Sequence, residues 1–294
     1  MTLVELLVSM AIALMVFALV GMVFLDMKKY MLRQEIQVAM IQNARIGLDE
    51  MARLIRMAGY NRDAENGQVT LIEAAPFQFT FNADTDPDHD VFPPKAMLPL
   101  YDNPNDYVSP DAQFTTGAET IRFTLDSTDD GDVDERDIGD DTFGERDSPN
   151  PDDMSLIKEI NGKNDRQITL GMLGPINQAG ERTGLTPMFQ YWAALSPCAE
   201  ILLGDLDCNG ALEGDERYFR PITAPEILNA IRRVRISVTV GGDRKDPFDP
   251  SKYPDMLLST EVNLRNPHKE VFFDPDPIEY AGCAFRTTDC GCLP

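Results

Sequence analysis

The sequence predicts an α+β fold: one long N-terminal α-helix, its first half transmembrane, packed on an antiparallel β-sheet head with long loops. Three observations predict it. From Leu3 to Ala58 there is no proline, and apolar residues recur at helical spacing. Beyond residue 60 the apolar pattern switches to period two, the mark of half-buried strands. Between these segments lie Pro-, Asp- and Asn-rich stretches at 82–113 and 138–153, the composition of surface loops.

The helix comes first. Residues 6–25 form an uncharged apolar run with one acid, Glu5, at its start. Twenty residues at ~1.5 Å rise cover ~30 Å, the thickness of a bilayer core. The run is too long for the apolar part of a secretory signal peptide, and no basic segment precedes it. A carboxylate at the lip of such a run costs on the order of a few kcal/mol in hydrocarbon, so Glu5 needs a partner. The expected partner is an α-amino group, its own or that of a neighbouring copy. The helix then continues with an apolar stripe at Met27, Met31, Val38, Ile41, Leu48, Met51 or Ala52, and Ile55, with Gly59 as its stop. That is one helix of ~55 residues and ~80 Å.

Strands are expected at 68–74, 77–81, 119–125, 156–160, 167–170, 234–240 and 257–264. The clearest is 234–240, where Val234, Ile236, Val238 and Val240 alternate with polar residues. The organisation follows: 1–25 a membrane or filament-core half-helix, 26–59 an amphipathic half-helix, 60–266 the head, and 267–294 a Cys-containing tail.

Charge is uneven. Residues 1–60 carry six bases and five acids, so residues 61–294 hold −24 of a chain total of −23. Such a head repels nucleic acid and attracts cations, so no nucleic-acid partner is expected. The five cysteines, Cys198, Cys208, Cys283, Cys290 and Cys292, lie in the last hundred residues. In an exported head they are disulfide candidates whose pairing the sequence leaves open.

Two acidic loops carry calcium spacing. Residues 205–216 fit D-x-[DN]-x-[DN]-G-x5-E at each defined position. The oxygen ligands would be Asp205, Asp207, Asn209, the Ala211 carbonyl, Glu213 through water, and Glu216 bidentately. Residues 126–137 repeat the frame with Asp126, Thr128, Asp130, Asp132, Asp134 and Asp137. Thr128 at position three and Asp137 at position twelve depart from the pattern. One or two Ca2+ ions are expected. Enzyme chemistry is not: His89 and His268 sit in acid- and proline-rich sequence, outside any HExxH motif, and no P-loop or dinucleotide fingerprint occurs. Trp192, with Phe189 and Tyr191, fits the core better than a sugar platform.

The run Met1-Thr2-Leu3-Val4-Glu5-Leu6 resembles the mature N-terminus of type IV pilins and type II secretion pseudopilins. The ending Arg56-Met57-Ala58-Gly59-Tyr60 and the segment Leu264-Arg265-Asn266-Pro267 resemble the PilW-type minor pilins, and less closely the J-type pseudopilins. Where that family bends its helix at a proline, this chain has Gly21-Met22. The resemblance implies a prepilin peptidase that leaves Met1 as the N-methylated first residue. It implies an inner-membrane subunit with an extracytoplasmic head, taken by an assembly platform into a surface filament with other pilin subunits. Glu5 would neutralise the terminal amine of a neighbour. The alternatives are a major subunit of an unusual pilus, a secretion pseudopilin, or a membrane-anchored calcium-dependent adhesin or carbohydrate-binding protein.

Overall fold

A computed structural model describes residues 2–60, 69–85, 118–128, 133–138, 150–160, 163–177, 179–196, 199–205 and 210–264. Helix α1 runs Leu3–Ile55 without interruption, 53 residues long. Nine strands follow: β1 (Leu71–Ala74), β2 (Gln78–Ala83), β3 (Glu119–Thr124), β4 (Asp153–Ile160), β5 (Lys163–Leu173), β6 (Phe189–Ser196), β7 (Ala199–Leu202), β8 (Ile231–Gly241) and β9 (Asp255–Asn263). A short helix α2 (Pro225–Ala230), with proline at its first position, precedes β8.

All pairings are antiparallel, in the order β1-β2-β3-β4-β5-β8-β6-β7, with β9 on the free edge of β8. β8 carries three partners: β9 along one edge, and on the other β6 at its start and β5 at Val240. The sheet curls back on itself. Phe189 donates its N–H to the Pro76 carbonyl at 2.8 Å, and the Tyr191 hydroxyl donates to the Ala75 carbonyl at 2.8 Å. The turn between β1 and β2 thus meets β6 around an aromatic core of Phe79, Phe81, Phe123, Phe189 and Tyr191, all fully buried. Their rings lie 5.2–6.4 Å apart, the spacing of offset and tilted pairs.

The second half of α1 lies on this sheet through Ile36, Met40, Ala44, Gly47, Leu48, Met51, Ala52, Leu54 and Ile55. Their spacing of three and four keeps them on one face. The expected stripe was out of phase at its start: Met27, Met31 and Val38 are exposed at 62%, 70% and 52%, and the buried row begins at Ile36. Val38 stands two residues, about 200° of helix turn, from Ile36 and therefore points away. At Gly47 helix and sheet approach closely. A Cβ there would stand 3.2 Å from Leu156 and 3.3 Å from Thr169. After Ile55 the chain turns, and Gly59 takes φ +76 and donates to the Asn82 carbonyl at 2.7 Å, tying the helix end to β2.

Seven strands were expected and form with shifted ends; β4 and β5 are longer at both ends or at the start than their sequence segments. β6 and β7 were not expected. β6 alternates Phe189, Tyr191 and Ala193 toward the core.

Candidate functional site

The first half of α1 is bare. Its most apolar 18-residue window has mean hydropathy 2.7 and no buried residue, so the helix is long and apolar enough to cross a membrane. At its start, Thr2 and Glu5 form a reciprocal capping box. Thr2 donates its N–H to Glu5 Oε2 at 2.8 Å, and Glu5 donates its N–H to Thr2 Oγ1 at 3.3 Å. The T-x-x-E spacing announces this cap. Within the chain, then, the Thr2–Glu5 box satisfies two of the orphan groups of a helix N-terminus, the Glu5 carboxylate taking one of them. Met1 lies outside the described residues.

The 126–137 loop leaves β3 at Asp126, which is fully buried. Asp137 closes it. Asp137 Oδ1 accepts the N–H groups of Ser127 at 2.8 Å and Thr128 at 3.1 Å, and Oδ2 accepts that of Asp134 at 2.8 Å. Burial, aided by the neighbouring charge of Asp126, raises the pKa of Asp137 against the lowering effect of those N–H groups. Asp134 faces the other way, capping Arg136 N–H at 2.7 Å and pairing with its guanidinium at 2.6 Å, which lowers its pKa. Asp126 Oδ2 lies 3.0 Å from Arg122. Asp130 and Asp132 lie outside the described residues.

In the 205–216 loop, Asp205 is buried and its Oδ2 accepts the Gly210 N–H at 2.7 Å. Gly210 has φ +82, a conformation side chains resist. Glu216 Oε2 accepts the Glu213 N–H at 3.3 Å. The Ala211 carbonyl belongs to the same loop. Asp207 and Asn209 lie outside the described residues, as do all five cysteines and both histidines. Among the described residues, no three Asp, Glu, His or Cys side chains converge as ligands for one ion.

Two further features stand out, a cleft that carries no sequence signal and a correction to the core placement expected for Trp192. A cleft of about 320 Å³ opens beside the turn between β1 and β2, lined by Glu73, Phe77, Val133, Arg182, Tyr218 and Phe219 among others. Arg182 lies over the Tyr218 ring at 4.5 Å and pairs with Asp215 at 2.7 Å. Trp192 points away from the core, half-buried, with Arg233 and Arg235 over its ring at 4.4 and 4.9 Å. Both arginines engage Glu261, whose pKa they lower. Trp192 is therefore filled by its own neighbours rather than open as a stacking platform.

The class these features define is a chain with one bare, membrane-type N-terminal helix whose second half packs on a curled antiparallel sheet. That architecture is compatible with a pilin-like fold. No family model matches the chain, and no curated protein or solved structure matches it.

Proposed function

We propose that this chain is a subunit of a type IV pilus-like filament, of the PilW-like minor-pilin kind, that polymerises through the first half of α1. The carrying observation is the division of α1 into a bare apolar half with Glu5 at its start and a half locked onto the sheet. A helix so divided suits two environments in turn, lipid before assembly and a bundle of like helices after it. The subunit would wait in the inner membrane with its head outside the cytoplasm, meeting a prepilin peptidase and an assembly platform. The major-subunit and pseudopilin readings share this mechanism.

Glu5 has two roles to separate. As a cap it needs a hydrogen-bond acceptor at the third helical position, which glutamine also supplies. As an intersubunit ion-pair partner it needs its charge, because an amine left alone in an apolar core penalises misregister. Glu5→Gln keeps the cap and removes the charge; Glu5→Ala removes both. The reading expects both variants to reach the membrane and both to be depleted from sheared filaments, measured by mass spectrometry against the other subunits. Normal incorporation of Glu5→Gln assigns Glu5 to capping alone and removes it from assembly.

The acidic loops are proposed as calcium sites that stabilise the head. Support comes from the Gly210 N–H bond to Asp205 and from the buried, inward-facing carboxylate of Asp137. A disulfide-tethered tail belongs to the same exported setting.

A further inference from the structure

The loop between β8 and β9, residues 242–254, does not turn tightly. It runs back along α1 toward the apolar run. Gly242 stands against Ile36, where an added Cβ would come within 3.0 Å of the isoleucine. One turn further, Asp246 Oδ2 pairs with Arg33 at 3.2 Å. Further still, the Phe248 ring meets Tyr30 at 4.8 Å between centroids, with the Arg33 guanidinium 5.7 Å from the Phe248 ring. Asp246 also fixes the tip, since its Oδ1 accepts the Phe248 N–H at 2.9 Å. The loop is braced internally by Asp246 N–H to the Lys252 carbonyl at 2.9 Å. A phenylalanine held in this way is still 42% exposed, and Tyr30 is 58% exposed.

The helix gives the height of this contact. Tyr30 lies five residues beyond Leu25, about 7.5 Å along the axis. If residues 6–25 fill the hydrocarbon, Tyr30 and Phe248 stand in the headgroup layer, which is roughly 5–8 Å deep on each side. Aromatic side chains concentrate at that depth. The charges at the same level differ from the rest of the chain. Lys28, Lys29, Arg33, Arg244, Lys245 and Lys252 outnumber Asp26, Glu35, Asp243, Asp246 and Asp249, six to five, in a molecule of net charge −23. Lys28, Lys29, Arg244, Lys245 and Lys252 are exposed. The remaining acidic surface is repelled by anionic lipid, so the basic level is the one that can face it.

We infer that the β8–β9 loop, with Tyr30, is a foot that rests in anionic phospholipid headgroups, with Phe248 entering the interface and the surrounding lysines and arginines meeting phosphates. It holds the head upright over the membrane before assembly. This rests on the reading of residues 6–25 as membrane-spanning.

The test uses the full-length chain in proteoliposomes that contain anionic phospholipid brominated high on the acyl chains. Phe248→Trp and, separately, Val16→Trp are made in a Trp192→Phe background, so each protein carries one indole. Both indoles should lose the larger part of their emission to the bromines. The charge-reversal pair Arg244→Glu and Lys245→Glu should relieve quenching at position 248 and leave position 16 quenched. Quenching at 16 without quenching at 248 overturns the foot and spares the span. Absence of quenching at both overturns span and foot together. An emission shift at 248 that follows the protein-to-lipid ratio, without bromine dependence, assigns the loop to a second copy of the chain and overturns the lipid assignment.

Discussion

Arg122 sits on β3, 2% exposed, with its guanidinium 3.0 Å from Asp126, 3.2 Å from Glu159 and 2.7 Å from the Gln78 amide oxygen. Gln78 in turn donates to Glu73 at 2.6 Å. Arg122 pairs with two buried carboxylates at once. Arg122→Met would fill much of the volume but remove the guanidinium from both pairs. The expected loss is about 3–5 kcal/mol, as for breaking one side of a buried pair. Chemical denaturation of the full-length protein in detergent measures it. A loss of about 0–1 kcal/mol, the range of an exposed pair, would sink the network as a structural element. The sequence concealed this residue. In E-T-I-R-F-T the arginine reads as the wet face of an amphipathic strand, yet β2 and β3 are buried throughout. Period two tells which residues share a face; it does not tell whether that face meets water.

At the scale of elements, the contact to examine is between α1 and β4. Lys158 Nζ lies 3.0 Å from Glu50 Oε1, and Arg53 Nη2 lies 2.8 Å from Glu50 Oε2. Partial burial pushes the Glu50 carboxyl up, but hydrogen bonds from Arg53 and Lys158 outweigh it and the net pKa is lowered. A lowered folded pKa means that ionised Glu50 stabilises the docked helix above the ordinary glutamate range. That contribution is lost as pH falls through the folded value. Glu50→Gln should therefore cost on the order of 0.5–1 kcal/mol at neutral pH, given partial exposure. Denaturation curves of the variant and the parent should converge below about pH 4. A gap that persists in acid would assign the effect to packing. The helix itself was legible: an unbroken proline-free run, a stop at Gly59 and a length within a turn. Its buried face was not, because Met27, Met31, Val38 and Ile46 are apolar yet exposed, so a second set of apolar residues competes with the buried row for the phase. β6 was hidden because Phe189, Tyr191 and Trp192 were weighed as rings rather than as alternating positions. β7 is short and begins just past Pro197, which reads as a strand breaker.

For the whole molecule the deciding quantity is charge. A head holding −24 is under self-repulsion, and the two acidic loops each crowd several carboxylates into twelve residues. Among the described residues each loop already has hydrogen bonds across its ends, through Asp137 in one and Asp205 in the other. Calcium would exchange some of those bonds for ligation and neutralise charge where it is most crowded. A ligand at about 100 times its Kd adds about 2.7 kcal/mol. For a chain of this size that is a rise in Tm of about 5–10 °C per site, at about 2–4 °C per kcal/mol. Melting the full-length protein in calcium and in EDTA measures it, with magnesium expected to do less. Pairing Asp205→Asn with Glu216→Gln should remove one share of the shift, and Asp137→Asn the other. The pH dependence follows from Asp137. Its pKa is raised, so protons compete with the ion at higher pH than at an ordinary aspartate, and the calcium-induced shift should shrink early on acidification. If calcium and EDTA leave Tm unchanged, the loops are closed by hydrogen bonding alone and the head carries its charge unneutralised.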